Sequence, residues 1–232
     1  MNKGTDSYRF ETHHDLARLP YFELRGQRLV LADPSLGPSV DMHTHLANAY
    51  FISKQMDLLG FYEETDLWLP MDSFVDLDCY ANQNVTTKQR SRMVRSFFVR
   101  SVLDPVGGGM RRSATIPNLL RDMGELGIAA SLILPIDWPV ISHNAETQLR
   151  ATRCHAALPC FGSVHPFTRD QAGALDRQRA LGAKGIKLHP NIQMVRPDHP
   201  AAMRLQRLCA DKGMIVLWHC APTGIEDWAA QQ

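Results

Sequence analysis

The spacing of four apolar runs in the C-terminal half constrains the fold more than any other feature of the chain. They are IAASLILPI (128–136), CFGSVHP (160–166), AKGIKLHP (183–190) and MIVLWHC (214–220). Because each run is apolar on both faces, it is typical of a parallel strand that is covered by helices. Helical patterns fill the intervals between the runs, and this alternation predicts an α/β fold with a parallel sheet.

The helical patterns have recognisable ends. Pro117 fits the first turn of one helix, and Thr168 and Asp198 can cap two others through their side-chain oxygens. Each pattern stops at a glycine, which readily adopts the left-handed conformation that commonly ends a helix. These glycines are Gly127, Gly182 and Gly213.

The series of predicted strands begins with VDMHTHL (40–46), so the main domain is expected over residues 40–232. Residues 1–39 form an N-terminal extension, in which residues 28–35 predict a short strand or hairpin arm. Residues 47–113 interrupt the alternation of apolar runs and helical patterns, which predicts an insertion after the first strand. Within it, a helix is predicted to begin near Thr86 or Thr87. Insertions of this kind often carry function.

Composition excludes several functional classes. The 25 Lys and Arg nearly balance the 24 Asp and Glu, which gives no electrostatic reason to expect nucleic acid or an anionic membrane as a partner. No apolar run approaches the roughly 18 residues that span a bilayer. The N-terminus has no apolar signal core, and the five cysteines are an odd number without close paired spacing. A cytoplasmic protein with reduced thiols is therefore expected.

His43 and His45 are the first candidate site residues. Side chains alternate along a strand, so these two imidazoles project from the same face and can bind one ion. Zinc and similar divalent metals accept neutral imidazole nitrogen. The alternative is a pair of chance histidines on a solvent-facing strand.

Lys187 and His189 share a face at the end of a later predicted strand, in GIKLHP. A lysine in a buried strand requires a partner or a function. It could bind a substrate carboxylate, or react with carbon dioxide to form a carbamate that ligates metal. The alternative is a lysine whose amino group reaches solvent at the strand end. His189 is the candidate catalytic residue.

His219 is the one polar side chain of the apolar run IVLWHC before its final cysteine. Taken alone, it could equally be a hydrogen-bonded core histidine, and the same structural role is favoured for His165 in SVHP. Together, however, these histidines and Lys187 all fall at the carboxyl ends of consecutive predicted parallel strands. In a (β/α) barrel, active sites are assembled at that face.

These motifs resemble the amidohydrolase superfamily of metal-dependent hydrolases, and most of all the amidohydrolase-related group that includes aminocarboxymuconate-semialdehyde-type decarboxylases. The matching segments are VDMHTHL (40–46), LLRDMGELGIAASLILP (119–135), GIKLHP (185–190) and GMIVLWHC (213–220). The resemblance implies a TIM-type (β/α)8 barrel and a small-molecule substrate.

The resemblance also implies a metal centre with one or two divalent ions, most often zinc. His43 and His45 match the first-strand ligands of the family, and His219 matches its fifth-strand ligand. Lys187 matches the lysine that binuclear members carboxylate, so its role as a ligand depends on that modification. The implied reaction is attack of a metal-activated water on an amide, ester or lactone carbonyl. In the decarboxylase branch the metal instead orients a carboxylated substrate.

The strand count departs from the family pattern. About five of the eight strands are predicted, and the family's sixth-strand histidine and eighth-strand aspartate have no counterpart, since only 12 residues follow Cys220. The expectation is therefore an incomplete barrel, from a longer protein or with little activity of its own.

Two other interpretations remain open. In a non-catalytic metal-binding or interaction module, a partner or a second copy would cover the open sheet edge at the fifth strand, and the second case predicts a homo-oligomer. A histidinol-phosphatase-like phosphoesterase also begins with H-x-H, but it predicts a dense His and Asp set soon afterwards, and residues 47–113 contain no His.

Overall fold

The structure is a computed structural model, and it describes residues 10, 12–49, 56–65, 112–138 and 142–220. The helix predicted near Thr86 or Thr87, and most of the predicted insertion, lie outside these residues. None of the described helices is long and apolar enough to cross a membrane. The four cysteines in the described part form no disulfide.

The N-terminal extension contains an antiparallel hairpin. Strands β1 (Phe22–Arg25) and β2 (Arg28–Leu31) pair with Phe22 opposite Leu31, and Gly26 provides the positive φ of 64° that the tight turn needs. Val30 of β2 is buried. The Arg28 guanidinium donates hydrogen bonds to Glu125 (2.9 Å) and Asp122 (2.7 Å), which attaches the hairpin to the first helix of the main domain.

Four strands form two parallel pairs. β3 (Ser39–Thr44) pairs with β4 (Ile128–Ile133), and β5 (Gly185–Leu188) pairs with β6 (Ile215–Trp218). Strands are thus present where the apolar runs predicted them, near residues 40, 128, 183 and 214.

The strand predicted near residue 159 is shorter than expected. It is reduced to two isolated parallel bridges, Ile133 with Cys160 and Gly162 with Ile186. Backbone hydrogen bonds of 2.8–2.9 Å accompany them, from Phe161 N to Ile133 O and from Gly162 N to Gly185 O. This segment therefore joins the two pairs, and the spatial order is β3, β4, 160–162, β5, β6. Parallel neighbours in chain order bring their carboxyl ends to one edge.

Helices connect the strands. They are α1 (Ile116–Glu125), α2 (Asn144–Thr152), α3 (Gln171–Ala180), the single turn α4 (Pro190–Gln193) and α5 (Pro200–Asp211). Two predicted caps are wrong by one or two residues. Asp170, not Thr168, accepts a hydrogen bond from Gly173 N and caps α3, and His199, not Asp198, accepts from Ala201 N and caps α5. Pro200 fixes the second shift, because proline favours the first helical position and leaves the preceding residue as the cap.

The glycines after α1, α3 and α5 adopt the positive φ expected at a helix end. Their φ angles are 65° at Gly127, 107° at Gly182 and 63° at Gly213. Each one is followed within a few residues by a strand, so the predicted succession of helix, glycine and strand is confirmed at these three places. The turns set where each strand begins and therefore which residues reach its carboxyl end.

The core lies between the strands and the helices. Ile186 and Leu188 of β5, Leu175 of α3 and Leu205 of α5 are completely buried. All four residues of β5 are buried, as expected for a central parallel strand. Lys187 shares this environment, with no exposed surface.

Candidate functional site

His43 and His45 project from the carboxyl end of β3. The parallel register between β3 and β4 is irregular between Asp41 and Thr44, just before the pair. The Asp41 carboxylate stabilises this irregularity, because it accepts hydrogen bonds from His43 N (2.9 Å) and from the Thr44 hydroxyl. Irregularities of this kind redirect side chains beside active sites.

The two imidazoles meet through their Nε2 atoms, which are 3.1 Å apart. The other ring nitrogen of His45, Nδ1, lies 2.7 Å from the carbonyl oxygen of Leu134. Since a carbonyl only accepts, we assign the proton of neutral His45 to Nδ1, and its Nε2 then carries a lone pair. His43 Nε2 donates to that lone pair when no ion is bound. The Leu134 carbonyl thus fixes the orientation of the His45 ring, as the backbone carbonyls that accept from metal-binding histidines do.

The surroundings keep both histidines neutral. Both residues retain exposed surface, and the neighbouring protein atoms partly desolvate their rings. Desolvation, followed by repulsion from His43, lowers the pKa of His45 to about 4. Desolvation, followed by the charges of Lys187 and His219, lowers the pKa of His43, and Asp41 partly opposes this. Neutral imidazole is the form that binds metal.

Lys187 is the third of the four residues of β5. Its side chain is completely buried, and among the residues that the structure describes Nζ has no hydrogen-bond partner. Burial lowers the pKa of Lys187 to about 8. The lysine charge acts on both His43 and His45, so these three residues share one electrostatic environment. An unsatisfied buried amine is costly to stability, and such groups concentrate at functional sites.

His189 and His219 stack next to the pair. Their ring centres are 3.9 Å apart with 13° between the planes, and the ring centre of His219 lies 6.3 Å from that of His43. His219 N donates to Leu188 O (2.9 Å), which aligns the ends of β5 and β6. His189 is buried, and its Nδ1 accepts a hydrogen bond from Ile192 N at 3.2 Å. That bond assigns the proton of neutral His189 to Nε2.

The His43 and His45 pair fits a borderline divalent cation. Zinc–nitrogen bonds of about 2.0–2.1 Å separate two ligands of a tetrahedral ion by about 3.3–3.4 Å, which is close to the observed 3.1 Å. Within the described ranges, no group of three or more His, Cys, Asp or Glu side chains could hold a metal ion. The structure therefore brings two of the predicted ligands together and places His219 near them, and within the described residues these three do not form a metal-binding group.

His165 has the structural role that the sequence favoured. It is buried, its Nδ1 accepts from Phe167 N (3.1 Å), and its Nε2 donates to Gln193 O (2.9 Å). Sequence reasoning missed Gln193 and Asp137, which make hydrogen bonds between the loops at this edge. One feature of the sequence could have indicated Gln193. It is a polar residue four positions after His189, and residues at that spacing are neighbours on a helix.

Asp137 is buried just after β4. Its backbone N donates to Ser163 Oγ (3.0 Å), and its carboxylate accepts from Ala145 N (3.2 Å) at the start of α2. Burial raises the pKa of Asp137 to about 7, although the backbone N–H groups of Ala145 and Asn144 oppose this. The carboxyl group therefore ionises at a higher pH in the folded chain than in the unfolded chain.

This shift predicts that Asp137→Asn removes a pH-dependent loss of stability. Below about pH 4 the carboxyl is protonated in both states, so it gives no pH dependence there. As pH rises from 4 to 7 only the unfolded state ionises, and the folded protein loses stability by an amount on the order of 2–4 kcal/mol. Asparagine does not ionise and keeps an acceptor for Ala145 N. Urea unfolding at pH 4.5, 6 and 8 measures the free energy of unfolding of both proteins. The free energy of the variant should rise relative to that of the parent as the pH increases. A pH-independent difference would contradict the assignment.

Comparisons with known proteins give one partial structural resemblance. No family model matches the chain, and no curated protein matches it. A crystal structure of a probable 2-pyrone-4,6-dicarboxylic acid hydrolase from Acinetobacter baumannii, with citric acid bound, is similar over 48% of this chain and 41% of its own, with 18% identity and a TM-score of 0.37. That protein bears the name of a hydrolase. At this TM-score the resemblance assigns neither an activity nor a ligand to the present chain.

Proposed function

We propose that the chain forms the metal-binding part of a hydrolase that directs water onto an amide, ester or lactone carbonyl of a small molecule. The observation that carries the proposal is the pair of converging imidazole nitrogens, 3.1 Å apart, with His45 oriented by the Leu134 carbonyl. Two neutral imidazoles at one strand end can provide two of the ligands of a zinc ion. The buried amine of Lys187, whose charge acts on both imidazoles, gives the site a second functional group.

Each residue has a defined role in this proposal. His43 and His45 hold a divalent ion, which when bound polarises a carbonyl oxygen and makes water more acidic. The Lys187 ammonium attracts the carboxylate of an acidic substrate or, if it is carboxylated, provides oxygen ligands for a second ion. His189 donates a hydrogen bond from Nε2 to a substrate oxygen. It does not take up a proton at Nδ1, because the Ile192 N–H already points at that atom.

The fold that we propose for this site is a TIM-type (β/α) barrel. The parallel order β3, β4, 160–162, β5, β6 supports it, because a barrel places consecutive strands side by side. The carboxyl-edge position of His43, His45, Lys187 and His219 is also the position of barrel active sites.

Zinc titration of the full chain tests the proposal. After treatment with a chelator, the parent protein is expected to bind one zinc ion. The affinity for zinc should be about tenfold weaker, or more, in His43→Ala and in His45→Ala, because each variant loses one of the two ligands. His143→Ala is the matched control, since this exposed histidine makes no cap hydrogen bond. Equal affinity in all four proteins would overturn the assignment.

Turnover is measured on the same samples with a panel of lactones, esters and amides that carry a carboxylate. Zinc-dependent hydrolysis that is lost in His45→Ala supports the hydrolase. Zinc binding without turnover of any member of the panel would instead favour a non-catalytic metal-binding module. Release of carbon dioxide without hydrolysis would favour the decarboxylase branch.

A further inference from the structure

Gln193 connects three of the loops at the carboxyl edge of the sheet. It is the last residue of α4, the single turn that follows β5, and only 2% of its surface is exposed. Its side-chain Oε1 accepts from His189 N (2.9 Å), and its Nε2 donates to Asp137 O (3.0 Å). Its backbone carbonyl accepts from His165 Nε2 (2.9 Å). One residue thus links the loops that follow β4, the 160–162 segment and β5.

The side chain of Gln193 fixes the start of α4, where His189 caps the helix. His189 is held at two atoms, by Gln193 at the backbone N and by Ile192 N at Nδ1. A buried amide whose two polar ends are both satisfied by main-chain groups has one orientation, so the backbone of His189 cannot rotate without breaking these bonds. The orientation of the His189 ring depends on that backbone.

The orientation of His189 matters because its ring stacks on His219. The 3.9 Å stack places His219 edge-on to His43, with 86° between the ring planes. A contiguous chain of contacts therefore runs from Gln193 through His189 and His219 to the metal-binding pair. The side-chain hydrogen bonds of Gln193 go to the backbones of His189 and Asp137, so it acts on the metal-binding pair through His189.

We propose that Gln193 is a positioning residue, which holds the His189 imidazole against His219 with its Nε2 proton directed away from the helix. The consequence for turnover rests on the proposed hydrolase function. The consequence for the geometry of the two rings does not, because it follows from the hydrogen bonds that hold His189.

The experiment compares Gln193→Met and Gln193→Glu with a control at Gln171 in the full chain. Methionine fills a similar volume and makes neither bond. Neutral glutamic acid can make both, with its carbonyl accepting from His189 N and its hydroxyl donating to Asp137 O. Gln171→Met is the matched control, since this buried glutamine also donates to main-chain carbonyls, of Pro166 (2.6 Å) and Ala201 (3.1 Å).

Imidazole ¹⁵N NMR gives the primary readout. In the parent protein, His189 should show an unprotonated Nδ1 and a protonated Nε2, with ring-current shifts from the stack on His219. Gln193→Met should lose this signature, Gln193→Glu should retain it, and Gln171→Met should retain it while losing stability. An unchanged His189 signature in Gln193→Met would overturn the proposal. So would its loss in Gln171→Met, because the effect would then be general to buried glutamines.

Kinetics give the second readout. For any substrate that the parent hydrolyses, Gln193→Met is expected to lower kcat about tenfold or more with little change in KM, as do substitutions of residues that orient metal-binding side chains. If the parent hydrolyses nothing, the proposed function fails while the NMR comparison still decides the role of Gln193. An NMR change with unaltered kcat would overturn the catalytic consequence.

Discussion

Gly185→Ala is expected to destabilise the protein by about 2–4 kcal/mol, because the added methyl group has no space. An ideal Cβ at this position would lie 2.6 Å from the carbonyl oxygen of Ile215 and 2.8 Å from two ring carbons of Phe161. The first contact is with the backbone of β6, which pairs with Gly185 in the parallel register. A flexible side chain could move away from a new methyl group, but a paired strand cannot do so without breaking its hydrogen bonds.

Gly124→Ala is the matched control for this prediction. Gly124 lies in α1, and among the described residues no atom other than those of its chain neighbours and the nearby helix backbone lies within 4 Å of the position that a Cβ would take. Alanine favours a helix over glycine by up to about 1 kcal/mol, so this variant should be as stable as the parent or more stable. Urea unfolding measures both variants. Equal stability of Gly185→Ala and the parent would show that β5 and β6 are not in contact as described.

The Gly185 substitution also affects the site. Lys187 follows Gly185 by two residues on the same strand, and β5 ends at Leu188, just before His189. Any displacement of β5 away from β6 therefore moves Lys187 relative to His43 and separates the stacked rings of His189 and His219. The close packing at one glycine thus determines where the polar groups of the carboxyl edge meet.

The sequence predicts the strands and helix ends well where local chemistry decides them. The apolar runs place β4, β5 and β6, and the positive φ of Gly127, Gly182 and Gly213 follows from the steric freedom of glycine. The caps are less well predicted. Thr168 and Asp170 are both competent cap residues two positions apart, and tertiary packing decides between them.

The site is predictable only in part, for a physical reason. Strand alternation is a local rule, and it predicts His43 and His45 on one face. Their Nε2 atoms do meet, although the pairing of β3 is irregular just before them. The stack of His189 on His219 and the hydrogen bonds of Gln193 join residues on different elements. No periodicity in the sequence encodes such contacts. The short segment at 160–162 also depends on contacts between elements. Only two bridges form there, although the apolar run 160–166 predicted a full strand.

Lys187→Met is expected to stabilise the protein by about 1–3 kcal/mol and to abolish most of any activity. An amine that is buried without a hydrogen-bond partner costs roughly this amount, and in the part of the chain that the structure describes Nζ has none. Methionine retains most of the apolar stem and removes the polar atom, so packing in β5 changes little. Hydrolysis of a carboxylated ester or lactone should fall about 10²-fold or more if the amine or its carbamate acts on the substrate or the metal.

Lys212→Met is the control, because the Lys212 amine forms an ion pair with Asp176 near the surface. Its loss should change stability by about 0.5 kcal/mol or less and leave activity unaltered. Urea unfolding of the chelator-treated proteins measures the first effect, and turnover with zinc measures the second. Destabilisation of Lys187→Met by more than 1 kcal/mol would mean that the amine is partnered in the folded protein. A stability gain with full activity would mean that Lys187 is buried for a reason unrelated to catalysis. A gain in stability together with a loss of turnover is the combination expected of a residue retained for function at the expense of folding.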